Sequence, residues 1–179
     1  IKTANVTITG VNDPPIADNV NGSGSEAGTI TTTLTATDVD NSSAGDITFS
    51  IVSDPTNITG SVSIGPVTAS GSNPTTFTAT ATYTHDGTEP NSPANTDTFT
   101  YTANDGSASS NVATATIPTI NPTNDTPVAA QVMGSGTEGG TITVTLSATD
   151  PDDGANVTFN VSSSDPAMDD LSGVSLVGS

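Results

Sequence analysis

Residues 22–38 read GSGSEAGTITTTLTATD, and residues 134–150 read GSGTEGGTITVTLSATD. The 112-residue offset between them carries Glu26 onto Glu138, Asp38 onto Asp150 and Asp40 onto Asp152. The same offset takes Asn12-Asp13-Pro14-Pro15 onto Asn124-Asp125-Thr126-Pro127. Later matches, ITFSIVSDP at 47–55 and VTFNVSSSDP at 157–166, slip by a residue or two, as loop insertions do. Self-similarity at a fixed period marks a tandem architecture. One complete repeat is expected over residues 12–123, with the tail of a preceding repeat at 1–11 and the first half of a following one at 124–179. The chain therefore reads as an interior stretch of a longer polypeptide.

Inside the repeat the period is two. Phe77, Ala79, Ala81 and Tyr83 alternate with Thr78, Thr80, Thr82 and Thr84, and Phe99, Tyr101 and Ala103 alternate with Thr98, Thr100 and Thr102. Ile30, Leu34 and Ala36 face opposite Thr29, Thr31, Thr33, Thr35 and Thr37, and the second copy does the same with Ile142, Val144, Leu146 and Ala148. Strict alternation means strands with one face to a core and one to water. Pro and Gly clusters punctuate the chain at regular intervals, and no segment has a helical period. The fold class this predicts is all-β: tandem antiparallel Greek-key β-sandwiches of about 112 residues, each with seven or eight strands. Half a sandwich has open edges and an uncovered face. The stretch 124–179 therefore needs further strands, from its own polypeptide or from another chain.

Composition bounds the function. The 179 residues carry 19 acidic side chains against one lysine (Lys2), with one histidine (His85), no arginine and no cysteine, for a net charge of −18. Such a chain repels phosphate backbones and anionic lipid headgroups, so neither nucleic acid nor a membrane surface is an expected partner. No apolar run approaches the roughly 18 residues of a membrane span. Disulfides, zinc thiolate sites and cysteine nucleophiles are excluded. Only 31 % of residues are hydrophobic, which with high net charge is a mark of disorder. Against disorder, 35 residues are threonine, Val and Ile far outnumber Leu and Met, and there are only three Glu and one Gln.

The carboxylates gather at strand ends and turns: Asn12-Asp13, Glu26, Asp38-Val39-Asp40-Asn41, Asp86-Gly87-Thr88-Glu89, Asn104-Asp105, Asn124-Asp125, Glu138 and Asp150-Pro151-Asp152-Asp153. Acidic turn residues commonly do no more than solvate loops and cap turns. Here an Asp-x-Asp pair recurs in both copies, twelve residues after a recurring Glu and beside a recurring Asn-Asp. Hard divalent cations take six to eight oxygens from such groups, so bound Ca2+ is the expected cofactor. An EF-hand is excluded, because Ser43 stands where its glycine is needed and Phe49 where its bidentate Glu belongs.

The order of these features is a Glu before a Gly-Thr turn, a strand, Ala-Thr-Asp-x-Asp, an Ile-Thr-Phe-Ser-Ile strand and an Asn-Asp-x-Pro linker. It resembles the cadherin repeat, and more closely the cadherin-like tandem repeats of large bacterial surface adhesins. Segments like YTHDGTEPNSPANTDTFTYTANDG (83–106) and GVNDPPIA (10–17) are typical of that bacterial family. The resemblance implies calcium at the junctions between repeats. Near residue 124 it implies Glu26 and Asp86 or Glu89 from the complete repeat, Asn124 and Asp125 from the linker, and Asp150 and Asp152 from the next repeat. Near residue 12 it implies Asn12, Asp13, Asp38 and Asp40, while Glu138 serves a further junction downstream. Two departures stand out: His-Asp-Gly-Thr-Glu (85–89) replaces the mid-repeat acidic triplet, and the linkers are shorter in carboxylates than the cadherin Asp-x-Asn-Asp-Asn run. Fewer ions per junction follow.

Catalysis has little to work with, since one imidazole, one lysine and no arginine or cysteine make no triad or phosphate grip. No enzymatic role is expected, and His85 is expected to be an exposed turn residue. The Thr-x-Thr rows form hydroxyl ladders that could meet ice or a glycan, although threonine is also the ordinary way to write a polar strand face. Seven Asn-x-Ser/Thr sequons (at Asn5, Asn21, Asn41, Asn57, Asn124, Asn156 and Asn160) are what a Thr-rich chain supplies by chance. The function expected is mechanical: a calcium-stiffened stalk segment of an extracellular, cell-surface adhesin. Its partners are neighbouring repeats of the same polypeptide or copies of the same chain. The alternative is a filament subunit completed by strand exchange between chains.

Overall fold

A computed structural model describes residue 3 and residues 5–89, 96–152 and 157–162. The chain divides into two compact units, Ile1–Thr123 and Asn124–Ser179.

The described residues of the first unit form ten strands: β1 (Ile16–Ala17), β2 (Val20–Ser25), β3 (Thr29–Asp38), β4 (Thr48–Ser53), β5 (Ile58–Ile64), β6 (Thr68–Ser70), β7 (Thr75–His85), β8 (Asp97–Asn104), β9 (Ala113–Ile117) and β10 (Ile120–Asn121). A 3-10 turn, Ala44–Asp46, precedes β4. One layer is β3-β7-β5, with β1 on β3 and β6 on β7; the other is β4-β8-β9. Strand β2 joins them: Val20 and Asn21 pair with β9, and from Gly22 the strand pairs with β3. Both contacts of β2 with the C-terminal strands β9 and β10 are parallel. The purely antiparallel sandwich expected from the sequence is thus modified at one strand that changes layers.

Strands β3 and β7 pair over ten consecutive positions, from Thr29 opposite Thr84 to Asp38 opposite Thr75. This register places Thr29, Thr31, Thr33, Thr35 and Thr37 against Thr84, Thr82, Thr80, Thr78 and Thr76. Each cross-strand Thr pair contributes about 0.2–1 kcal/mol. The opposite face of the same two strands is the core, where Ile30, Leu34, Ala36, Phe77, Ala79, Ala81 and Tyr83 are all buried.

From the other layer Phe49, Phe99, Tyr101, Ala103, Ala113, Ala115 and Ile117 complete the core. Five of the six aromatic residues in the chain lie here, with Tyr83 edge-on to Phe99 at 6.2 Å and Phe49 tilted against Tyr101 at 5.9 Å. Seven buried alanines let the layers close around few large side chains. The Tyr101 hydroxyl pins the layers together: it donates to the Asp18 carbonyl and receives the Thr35 amide at 3.2 Å. Tyr83 donates to Asp97 Oδ2 at 2.9 Å, and Asp97 Oδ1 receives the Thr98 amide at 2.8 Å, so this buried carboxylate is well bonded.

The second unit differs from its sequence pattern. Its described strands are only β11 (Val128–Ala129) and β12 (Ala148–Thr149), paired antiparallel. The alternating stretch 141–147 forms no strand, and Ile142, Val144 and Leu146 are 53 %, 38 % and 36 % exposed. In the first unit β3 is held over its whole length by β7, whereas among the described residues no strand pairs with 141–147.

Candidate functional site

The ten residues of β3 span about 33 Å, so the recurring Glu and the recurring Asp-x-Asp stand at opposite poles of the sandwich.

At the Asp38 pole, Asp38 Oδ1 accepts the amides of Asp40 (2.7 Å) and Asn41 (3.0 Å), closing the turn after β3. Asp40 Oδ2 in turn accepts the amide of Asp13 at 2.6 Å. Asn12 donates to Asp105 Oδ2 at 2.8 Å and to the Asp13 carbonyl at 3.2 Å. Asp105 Oδ1 holds the amides of Ser107 and Ala108, both at 2.6 Å. These bonds, with Asn12 first, hold the Asp105 carboxyl below the usual range. The structure therefore gathers Asn12, Asp13, Asp38 and Asp40 and adds Asp105 and Asn41. The Asn104-Asp105-Gly106 turn carried a signal for Asp105, but nothing local tied it to Asn12, 93 residues away. Among the described residues this pole does not bring three carboxylates within 4.8 Å of one another.

The second unit repeats the arrangement. Asn124 donates to the Asp125 carbonyl at 2.7 Å, Asp125 donates its amide to Asp152 Oδ2, and Asp150 Oδ1 accepts the Asp152 amide at 3.0 Å. Three hydrogen bonds thus recur at the 112-residue offset, and each linker Asn-Asp is tied to the Asp-x-Asp that follows it. Glu138 is exposed in its turn.

At the Glu26 pole, the turn between β2 and β3 closes with Gly28 donating to the Ser25 carbonyl at 3.1 Å, and Ala27 sits in the left-handed region at φ 50°. Glu26 is 3 % exposed. Its Oε2 accepts the Thr123 amide at 3.1 Å, and its own amide donates to the Asn121 carbonyl at 2.9 Å. Its Oε1 is buried and has no hydrogen-bond partner among the described residues. A carboxylate oxygen of Glu89 lies within 4.8 Å of one of Glu26.

Asp86 does not join them. Its Oδ1 accepts the Thr88 amide at 2.9 Å, and hydrogen bonds from Thr88 hold its carboxyl low. His85 overturns the expectation of an exposed turn residue, for it is 1 % exposed at the last inward position of β7. Its Nδ1 accepts the Gly87 amide at 3.2 Å. The i+2 alternation of Phe77, Ala79, Ala81 and Tyr83 continues to His85, a signal in the sequence that the neighbouring turn residues outweighed.

The strand order defines the class. One layer holds β2, β3, β7 and β5 and the other β4, β8 and β9, which is the arrangement of an immunoglobulin-like sandwich. Residues 12–118 match the bacterial Ig domain family, and the chain belongs to that family. Such domains are typically non-catalytic and found on surface proteins. No curated protein matches the chain. No helix among the described residues is long and apolar enough to cross a membrane.

Proposed function

We propose that this chain is a structural extender of an extracellular bacterial surface adhesin, a cadherin-like variant of the Ig sandwich stiffened by Ca2+. The observation that carries the reading is the Glu26 pole: a buried glutamate with an unbonded oxygen, and a second glutamate within 4.8 Å. Two like charges at that separation repel by about 3 kcal/mol at an effective dielectric near 20. A hard cation reverses the sign and accepts carboxylate and carbonyl oxygens. Glu26 and Glu89 are the residues that would hold it. Bound there, Ca2+ supplies charge neutralisation where the chain leaves the sandwich. Glu26 already fixes Thr123 through its other oxygen, so ordering this carboxylate orders the exit of the backbone.

At the Asp38 pole the carboxylates of Asp38, Asp40 and Asp105 already hold backbone amides, so the Asn12-Asp13 linker is secured by protein bonds. Thermal unfolding of residues 1–179 in millimolar Ca2+ and in chelator tests the reading. At a calcium concentration of about 100 Kd the gain is about 2.7 kcal/mol, and the melting temperature rises by about 10 °C. Glu26→Gln keeps an acceptor for Thr123 and loses that response. Equal melting temperatures of the unsubstituted chain with and without calcium would remove calcium from the account.

A second reading, strand exchange between copies, draws on exposed apolar residues in alternating segments: Val6 and Ile8 at 83 % and 90 %, and Ile142 at 53 %. Light scattering distinguishes it, since strand exchange requires concentration-dependent oligomers.

A further inference from the structure

A cavity of about 370 Å³ opens beside the Asp38 pole, lined by Asp38, Asp13, Thr37, Pro14, Ile16, Val39 and Pro74. We propose that it binds an alkylammonium group, the side-chain ammonium of a lysine or a free alkylamine.

Three observations converge. First, Asp38 is 3 % exposed, and while its Oδ1 closes the turn, its Oδ2 is buried with no hydrogen-bond partner among the described residues. A buried carboxylate oxygen left unbonded is costly, and a cation or a donor relieves it. Second, the chain has little to offer it. There is no arginine, and Lys2, the only lysine, lies outside the described residues. His85 sits at the opposite end of β7 from Thr75, the register partner of Asp38. Third, the walls other than Asp38, Asp13 and Thr37 are apolar. Pro14 and Pro74 are exposed, and Ile16 and Val39 keep 61 % and 47 % of their surface open.

These features separate an organic cation from a metal ion. Calcium takes six to eight oxygens, whereas here two carboxylates, Asp38 and Asp13, share the cavity with mostly apolar residues, and no three carboxylates converge among the described residues. The volume lies in the range of small-molecule pockets, and an alkyl stem covers apolar wall while its ammonium reaches the carboxylate. A net charge of −18 draws cations toward the whole surface and raises their local concentration.

The test is calorimetric titration of residues 1–179 in chelator with n-butylamine, with a blocked lysine tripeptide and with n-butanol. Saturable binding of either amine and none of the alcohol is expected. Asp38→Asn keeps an acceptor for the Asp40 and Asn41 amides and weakens binding at least about tenfold. Ile16→Ser and Val39→Ser, at exposed positions, weaken it while leaving the circular dichroism spectrum unchanged. Binding by the peptide alone assigns the source to a partner's lysine; equal binding by butylamine assigns it to free amines. The proposal is overturned if neither amine saturates, or if Asp38→Asn folds and binds equally. It is also overturned if Ca2+ displaces the amine stoichiometrically in a Glu26→Gln chain, where the calcium reading at the other pole cannot contribute.

Discussion

Raising the pH should unfold this protein through its two tyrosines. Burial, and the Asp97 carboxylate that it bonds, push the Tyr83 hydroxyl far above the ordinary tyrosine range. Burial pushes Tyr101 up as well. Both groups are raised in the folded state, so their contribution is intact below about pH 10, where the unfolded tyrosine titrates, and is lost as pH climbs above it. In that window the unfolded chain has released the proton and the folded chain has not. Each tyrosine held protonated then lowers stability by about 1.4 kcal/mol per pH unit. At pH 12 Tyr83 alone costs about 2.7 kcal/mol, a large share of the 5–15 kcal/mol typical of a domain.

The chain suits the measurement, with no cysteine and one lysine. Tyrosinate absorbance and far-ultraviolet circular dichroism, followed together from pH 9 to pH 12.5, should change in one cooperative step well above pH 10. Tyr83→Phe should flatten the alkaline slope, while costing about 1–3 kcal/mol at neutral pH because Asp97 Oδ2 loses its donor. Tyrosines that titrate independently near pH 10 with the β signal unchanged would refute the reasoning.

Three further outcomes follow from the packing. Ala27→Gly should stabilise the first unit by up to about 1 kcal/mol in a chemical melt, because Ala27 occupies a left-handed conformation and its counterpart in the second copy is already Gly139. Gly24→Ala should destabilise by about 1–3 kcal/mol, since an added Cβ lies 2.4 Å from Ile30 Cδ1 and 2.8 Å from the Thr29 carbonyl; an unchanged urea midpoint would contradict the close approach of β2 and β3. Phe77→Ala, at a fully buried position, should cost about 3–5 kcal/mol. A smaller loss would mean that the alanine-rich core collapses around the gap.

Much of the first unit was readable from the chain. The alternation of 77–83 and 98–103 required one apolar face, and the structure buries Phe77, Tyr83, Phe99 and Tyr101. The same rule failed at 141–147. Periodicity states which face a strand would bury, but not whether another strand arrives to cover it, and Ile142 stays exposed. His85 shows the converse, for its place beside Asp-Gly marked a turn while the pairing of β7 carried it into the core.

The acidic positions divide in the same way. Their clustering and the 112-residue recurrence belong to the sequence alone, because they are properties of spacing. The resemblance already set Glu26 and Asp38 at different junctions and put Asp86 or Glu89 beside Glu26; that Glu89 rather than Asp86 approaches it, and that Asp105 reaches Asn12 across 93 residues, required the folded chain. So did the unbonded oxygens of Glu26 and Asp38. Local patterning fixes strand faces and turn chemistry because those depend on neighbours in sequence. Which carboxylates meet, and which are left without a partner, depends on strand order and register, and only tertiary pairing decides those.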